Sequence, residues 1–456
     1  MDENKVFLLN RGEMEGRFDP FYYIPELLKL EEQVKNQTSY RLGDFINSMA
    51  GGATPSVQEE EKYYSNSEDG VPFIRVQNLS PTNQLILNDL KFINQETHQS
   101  YLKRSQVSES DLLVKITGVG RMAVASVPPL GFEGNINQHI VVIKTDNRET
   151  SEIIASFLNS DIGEKLASRR AVGGTRPALD YGGLKSIPIV FKSEILEVFR
   201  ETVAAIREKD RAAAALLSST DDYLLSTLGI ELPPPGKGDL QERVFFRQMS
   251  EVTGGRMDPE YFHPERTKAT QAVMGGKYPA QRLYHISDNK RIITTENLHQ
   301  LPYIGLENVE SGSGTLVKSD EKSDFGTALY FEEGWVLYAK LRPYLNKVWY
   351  ATFRGYCSTE FVVLNSQVVD NQFLAAFLQS KVIVQQTRHM MSGNTLPRLQ
   401  PEDIDSLMIP VPPRDVQDEI IRVTDQKRQQ ALSLQSEGRQ LLAEARRQVE
   451  QIILGH

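Results

Sequence analysis

Four polar, basic loops carry the strongest chemical signal in this sequence. KITGVGR (115–121) sets Lys115 and Arg121 on a glycine-bent loop, and KLRPYLNK (340–347) sets Lys340, Arg342 and Lys347 on a loop bent by proline. SRRAVGGTRP (168–177) brings Arg169, Arg170, Thr175 and Arg176 beside a glycine loop at the end of a helical stretch. TRHMMSGNTLPR (387–398) does the same with Arg388, Asn394 and Arg398. Arginine and lysine donate to guanine edges or to phosphates, asparagine reads adenine, and glycine lets the backbone approach closely. The competing explanation is local: cations near a helix C-terminus answer its dipole. For any single loop the two readings are even; four loops at equivalent places favour DNA.

Motifs for making or breaking bonds are weak by comparison. DPFY (19–22) and DPEY (258–261) are distorted forms of the DPPY with which amino-methyltransferases hold an exocyclic nitrogen, but both lack the third-position proline. No glycine-rich strand-turn-helix for S-adenosylmethionine precedes either, so the better reading is a turn that packs Tyr22 and Tyr261. PPPGKG (233–238) is a linker and not a phosphate loop, and no GxSxG elbow frames a nucleophile. Cys357 is the single cysteine, and the seven histidines show no CxxC or HxxxH spacing, so no disulfide and no metal is expected. The expectation is a noncatalytic chain with no cofactor of its own.

The elements that must position the loops occur twice. GRFDPFYY (16–23) returns as GRMDPEYF (255–262), and the echo extends upstream, VFLLNRGEMEGRFDP (6–20) against VFFRQMSEVTGGRMDP (244–259). Downstream, VPFIRVQNL (71–79) answers LPYIGLENV (301–309), and DLLVKITGVGRMAVA (111–125) answers WVLYAKLRPYLNKVWYA (335–351), with Lys115 and Lys340 expected in register. FLNS (157–160) matches FLQS (377–380), and GGTRPAL (173–179) matches GNTLPRL (393–399). The order never changes, which is duplication with drift in units far too long for a solenoid repeat. The drift sits in the loops: Arg176 is expected to face Leu396, Gly118 to face Pro343, and Arg75 to face Gly305.

Within each unit short β-branched or aromatic runs such as QHIVVIK and EFVVLN read as strands, and SEIIASFLNSDIGEKLASR (151–169) and NQFLAAFLQSKVIVQQTR (371–388) read as helices. The fold class is α+β, with two tandem domains of similar fold. Each unit then ends in a long amphipathic segment. Leu196, Phe199, Val203, Ile206, Ala213, Leu217 and Leu224 fall on a three-and-four step, interrupted by Asp210 and Thr220, over a helix of roughly 50 Å. Ile420, Ala431, Leu434, Leu441, Ala445 and Ile452 form a second seam, with Gly438 a weak spot. Two such stripes bury best against each other, as an antiparallel coiled coil. The expected boundaries are a first domain over 1–192, a spacer helix over 193–232, a second domain over 233–412 and a second spacer helix over 413–456.

Composition sets the class. With 40% hydrophobic and 24% charged residues in 456, the chain should fold into two or more domains. The formal charge of −9 argues against a protein that coats nucleic acid alone, and leaves room for a subunit whose partners supply part of the grip. No apolar run approaches a membrane span, and the acidic start MDENKVFLLNRGEMEG lacks a signal peptide's features, so a cytoplasmic location is expected.

The tandem units, the G-[GN]-T-x-P-x-L loop at 173–179 and 393–399, the short strands in SIPIV and LMIPVP, and VPPRDVQDEI (411–420) leading into the second helix resemble the specificity subunit of Type I restriction-modification systems. That resemblance covers essentially the full length. It implies two target recognition domains, each reading half of a split site in double-stranded DNA. It also implies spacer helices that dock two methyltransferase subunits carrying S-adenosylmethionine, and a motor-nuclease subunit that completes the restriction complex. The residues that pack each spacer helix on its partner helix would include Leu196, Phe199, Val203, Ile206, Leu217, Leu224, Ile420, Leu434, Leu441 and Ile452. Three other readings stay open: a specificity subunit for a fused restriction-methyltransferase, a protein-protein scaffold without DNA specificity, and a self-contained methyltransferase.

Overall fold

The computed structural model describes residues 7–9, 12, 14, 17–233, 244–246, 248, 252, 258–295, 301–317, 326–392 and 396–456. Much of the linker that was expected between the two repeats, and Gly255, Arg256 and Met257 of the repeated phrase, lie outside the described residues.

The chain is α+β, with two compact units: residues 1–209 with 436–456, and residues 210–435. The first unit has a head built on a five-stranded sheet in the order Ser48–Gly51, Ile140–Lys144, Leu112–Lys115, Ala125–Val127, Asn83–Gln84. The strand IVVIK is apolar without alternation because both its faces are covered. Val141 and Ile143 point to the helical side, while Ile140 and Val142 point to a second core shared with Ile74, Val107 and Ile136. That core lies against the other five-stranded sheet, ordered Tyr64–Ser65, Lys91–Ile93, Val71–Ile74, Glu133–Ile136, Gln106–Ser108.

Helices Arg148–Asn159 and Asp161–Arg170 cover the first sheet, and a sharp corner joins them. Ser160 makes the corner by accepting the Gly163 N–H at 2.9 Å while donating to the Phe157 carbonyl. Gly163 is required there, because a Cβ would lie 2.1 Å from the Phe157 oxygen.

The second unit repeats the frame with a four-stranded sheet ordered Ser287–Asn289, Phe361–Ser366, Val336–Ala339, Val348–Tyr350, covered by Asn371–Leu378 and Lys381–Thr387. A second sheet, Ile293–Thr294, Ala328–Phe331, Gly355–Ser358, Tyr303–Ile304, packs on its other side.

Two long helices, Ser193–Leu228 and Arg414–Leu454, complete the molecule and pack antiparallel. In the first unit Ile195, Phe199 and Val203 share a core with Leu442, Val449 and Ile453. In the second unit Leu224, Leu225 and Leu228 share one with Val416, Ile420 and Ile421. Each compact unit therefore takes part of both helices. The first seam is as expected: Leu196, Phe199, Val203, Ala213 and Leu224 are buried, Ile206 and Leu217 half-buried, and Thr220 is buried within it. The second needs correction. Leu434, Leu441 and Ile452 are half-buried, Gly438 is buried, and the fully buried positions after Ala445 are Val449 and Ile453. A strict seven-residue step from Ala445 lands on Ile452, but a helix of 3.6 residues per turn drifts off that repeat, and two steps of four reach Ile453. Among the described residues no helix is long and apolar enough to cross a membrane.

Candidate nucleic-acid interface

The repeated DPFY and DPEY phrases are turns. Asp19 and Asp258 each cap a short 3-10 turn, Oδ1 accepting from the Tyr22 and Tyr261 amides at 3.0 Å. Each tyrosine ring then lies under a guanidinium, Arg169 over Tyr22 and Arg266 over Tyr261, both at 4.0 Å. The phrase is said twice because each head anchors its entry turn to its helices in this way.

The basic loops meet at one rim of each head, tied by matching backbone bonds. In the first head Ile116 N donates to His139 O at 3.0 Å, Leu179 N to Ile116 O at 2.8 Å, and Gly118 N to Pro177 O at 3.1 Å. In the second, Lys340 N donates to Glu360 O at 3.0 Å, Leu399 N to Lys340 O at 3.0 Å, and Arg342 N to Pro397 O at 2.8 Å. These bonds define the equivalences: Ile116 with Lys340, His139 with Glu360, Gly118 with Arg342, and Pro177 with Pro397. Arg176 therefore answers Leu396, as expected, and Arg75 answers Gly305, since both donate their amides to an asparagine three residues on. Two expectations are corrected. Lys115 pairs with Ala339 and not with Lys340, and Gly118 answers Arg342 and not Pro343.

One residue of slip reverses the side of a strand on which a side chain stands. Lys115 faces inward at 5% exposure, and its ammonium donates to Val119 O at 2.7 Å and Arg121 O at 3.0 Å, which holds the loop closed. Burial pulls its pKa down. Lys340 is half-buried, and its side chain makes no ion pair or hydrogen bond among the described residues. Arg342 and Gly118 share left-handed backbone, with φ of 51° and 118°. In Arg342 the uncommon conformation is fixed by its amide bond to Pro397 and turns an exposed guanidinium outward.

Several candidate cations serve the fold instead. Arg169 and Arg170 are 2% and 4% exposed and both grip the Glu31 carboxylate, so in this structure they are inward ties and not rim donors, a correction with a plain cause. Burial acts to raise the Glu31 pKa, but Arg170, Lys35 and Arg169 outweigh it and hold the carboxyl at about 2. Arg121 pairs with Asp161 at 2.7 Å and donates to the carbonyls of Asn159 and Ser160, locking the loop to the helical corner. Lys347 donates to Leu306 O at 2.7 Å, with its pKa lowered by burial. Arg388 pairs with Glu265 at 3.1 Å, and Arg398 makes a two-pronged contact with Glu360. Asn394 lies outside the described residues.

What remains on the rims is a small set. The first head presents exposed Thr175 and Arg176; the second presents Lys340 and exposed Arg342. Sequence reading missed two neighbours in the first head, Gln138 and His139. Gln138 is exposed, and the His139 pKa is lowered by burial and then by the charge of Arg176, which keeps the ring neutral and able both to donate and to accept. Their signal was the NQH turn between two strand-like runs. A Gln-His-Thr-Arg group with one cation and a Lys-Arg pair with two, on equivalent frames, suit contact with different base edges.

Comparison with known proteins adds the following. Residues 276–437 match the model of the Type I restriction modification DNA specificity domain. A stretch of 96 residues is 34% identical to the Type I restriction enzyme EcoDI specificity subunit of Escherichia coli, covering 21% of this chain and 21% of that protein. The chain thus spans about a fifth of that curated relative. Another 96-residue alignment, 30% identical, is to the (2S)-3-sulfopropanediol dehydratase activating enzyme of Klebsiella oxytoca, over 21% of this chain and 27% of that one. Among solved structures, the Type I restriction-modification S subunit from M. genitalium is similar at a TM-score of 0.38 and 12% identity, over 91% of this chain and 95% of that one.

Proposed function

We propose, from the match of residues 276–437 to the Type I restriction modification DNA specificity domain, that the whole chain is a noncatalytic DNA specificity subunit. Its two heads each read half of a bipartite site in double-stranded DNA. Adenine methylation, with S-adenosylmethionine, and cleavage belong to partner subunits in the cytoplasm, and the paired helices form the coiled-coil spacer that receives the methyltransferases.

The observation that carries this reading is the pair of rims: identical backbone ties hold loops whose outward residues differ, Arg176 against Leu396 and Gly118 against Arg342. A frame kept in duplicate while its presented chemistry changes is what two readers of unlike short sequences require. The partner surface follows from the helices. Ile206 and Leu217 on the first seam, and Leu434, Leu441 and Ile452 beside the second, are half-buried and give a second protein apolar ground to cover. The outward cations proposed for DNA are Arg176, Lys340 and Arg342, with Thr175, Gln138 and His139.

The test is coexpression with a cognate adenine methyltransferase subunit and mapping of methylated adenines. A two-part motif with a fixed gap is expected, and replacing 172–178 together with 137–139 should alter one half only. Methyl transfer by this chain alone, or a protein that retains no duplex in a specific manner, would overturn the proposal.

A further inference from the structure

The second head holds a group of side chains that the DNA-reading loops do not use. His389, at the end of the helix Lys381–Thr387, sits with Nδ1 2.8 Å from the Glu260 carboxylate and Nε2 2.9 Å from that of Glu265. The His263 ring stacks on the His389 ring with centroids 3.8 Å apart, and its Nδ1 accepts the Glu265 amide at a long 3.2 Å. One ligand atom from each of His263, Glu265 and His389 lies within 4.8 Å of the others. The His389 and Glu265 side chains are only 13% and 16% exposed, whereas Glu260 stands at the edge at 74%.

In the first head the place of His389 belongs to Arg169, whose fixed charge meets Glu31. In the second head an imidazole ring stands there, and the carboxylates of Glu260 and Glu265 converge on it. Arg388 also meets Glu265, at 3.1 Å. The donors are also of the right kind, since two imidazoles and one carboxylate form an N,N,O set that suits zinc, with water in the fourth position. Glu260 on Nδ1 adds the outer carboxylate that typically orients a metal-binding histidine, and a bound ion would take the place of the Nε2 contact with Glu265. His263 would bind through Nδ1 once its ring turns out of the stack on His389, exchanging its weak bond to the Glu265 amide for the metal.

We propose that His263, Glu265 and His389, supported by Glu260, form a site for one divalent cation of the zinc class. Its role is to fasten the DPEYF turn to the end of the helix Lys381–Thr387, the task that Arg169 and Arg170 perform in the first head. The site joins segments 124 residues apart in the chain, so metal there would stabilise the second head.

The test uses the full-length chain without an affinity tag, stripped with chelator and titrated with Zn2+ against a chromophoric chelator, and with Co2+ followed by its visible absorption. One equivalent is expected, with four-coordinate cobalt bands and a raised melting temperature. The His263→Ala/His389→Ala double variant should lose that equivalent, and Glu260→Gln should weaken it about 10–100-fold. Should the double variant not fold, Glu260→Gln and single His263→Gln, read by the same competition, decide the matter. Failure of the intact chain to take up one equivalent, or uptake that these variants leave unchanged, would overturn the proposal.

Discussion

Lys340 occupies the structural position of Ile116, one residue beyond that of Lys115, although the two lysines look interchangeable in an aligned pair of sequences. Both Ile116 and Lys340 give their amide to the same partner position, His139 O or Glu360 O. The two lysines therefore do different work. Lys340→Ala should weaken duplex binding for all sequences alike and lower the salt-dependence slope by about 1, with stability unchanged within ~0.5 kcal/mol. Lys115→Met should cost about 1–3 kcal/mol in denaturant unfolding by leaving two carbonyls without a donor. The reverse pattern would exchange the roles assigned here.

Arg176 should read a base. Arg176→Ala is expected to relax one position of the first half-site, at about 1–3 kcal/mol against the preferred base, and to leave the second half-site intact. Arg342→Ala should do so in the second half-site only. Competition binding with single-position variants of the duplex measures both; a uniform loss across sequences would reassign either residue to phosphate.

Glu31 ties the first head's opening helix to Arg169 and Arg170. Glu31→Gln should cost about 3–5 kcal/mol at neutral pH, because it leaves two buried guanidiniums short of their counter-charge. The sign with pH follows from a folded pKa of about 2 against an ordinary 4.5. The stabilisation is complete above pH 4.5 and is lost as the pH falls toward 2. Urea unfolding of the parent and variant at pH 7 and pH 3 should show the gap narrowing at the lower pH; a gap independent of pH would mean that the ion pair is not its source.

The corrected helix seam is open to a direct comparison. Ile453→Ala should cost about 2–5 kcal/mol, the range for a fully buried large-to-small change, and Ile452→Ala clearly less. Equal losses would restore the strict seven-residue register.

The heads, the long helices and their antiparallel pairing were legible because each rests on local patterning: strands bounded by turn formers, apolar residues at three-and-four steps, and a repeat that keeps its order. The direction in which a cation points was not legible. Arg169 and Arg170 turn inward because Glu31 lies 138 and 139 residues upstream, and nothing near SRRAVGG announces it. The Lys115 and Lys340 alignment failed because letters were matched where hydrogen bonds decide register. The histidine pair was missed for a related reason: a search for HxxxH looks along one helix, whereas His263 and His389 meet only through the fold.

The first compact unit is not continuous in the chain. It closes on itself only with residues 436–456, whose Val449 and Ile453 fill the core under Ile195, Phe199 and Val203. On the ribosome the first head must wait, with that apolar floor uncovered, until the whole second unit has been synthesised. Loss of residues 436–456 would for the same reason injure the half of the molecule made first, and spare the half made last.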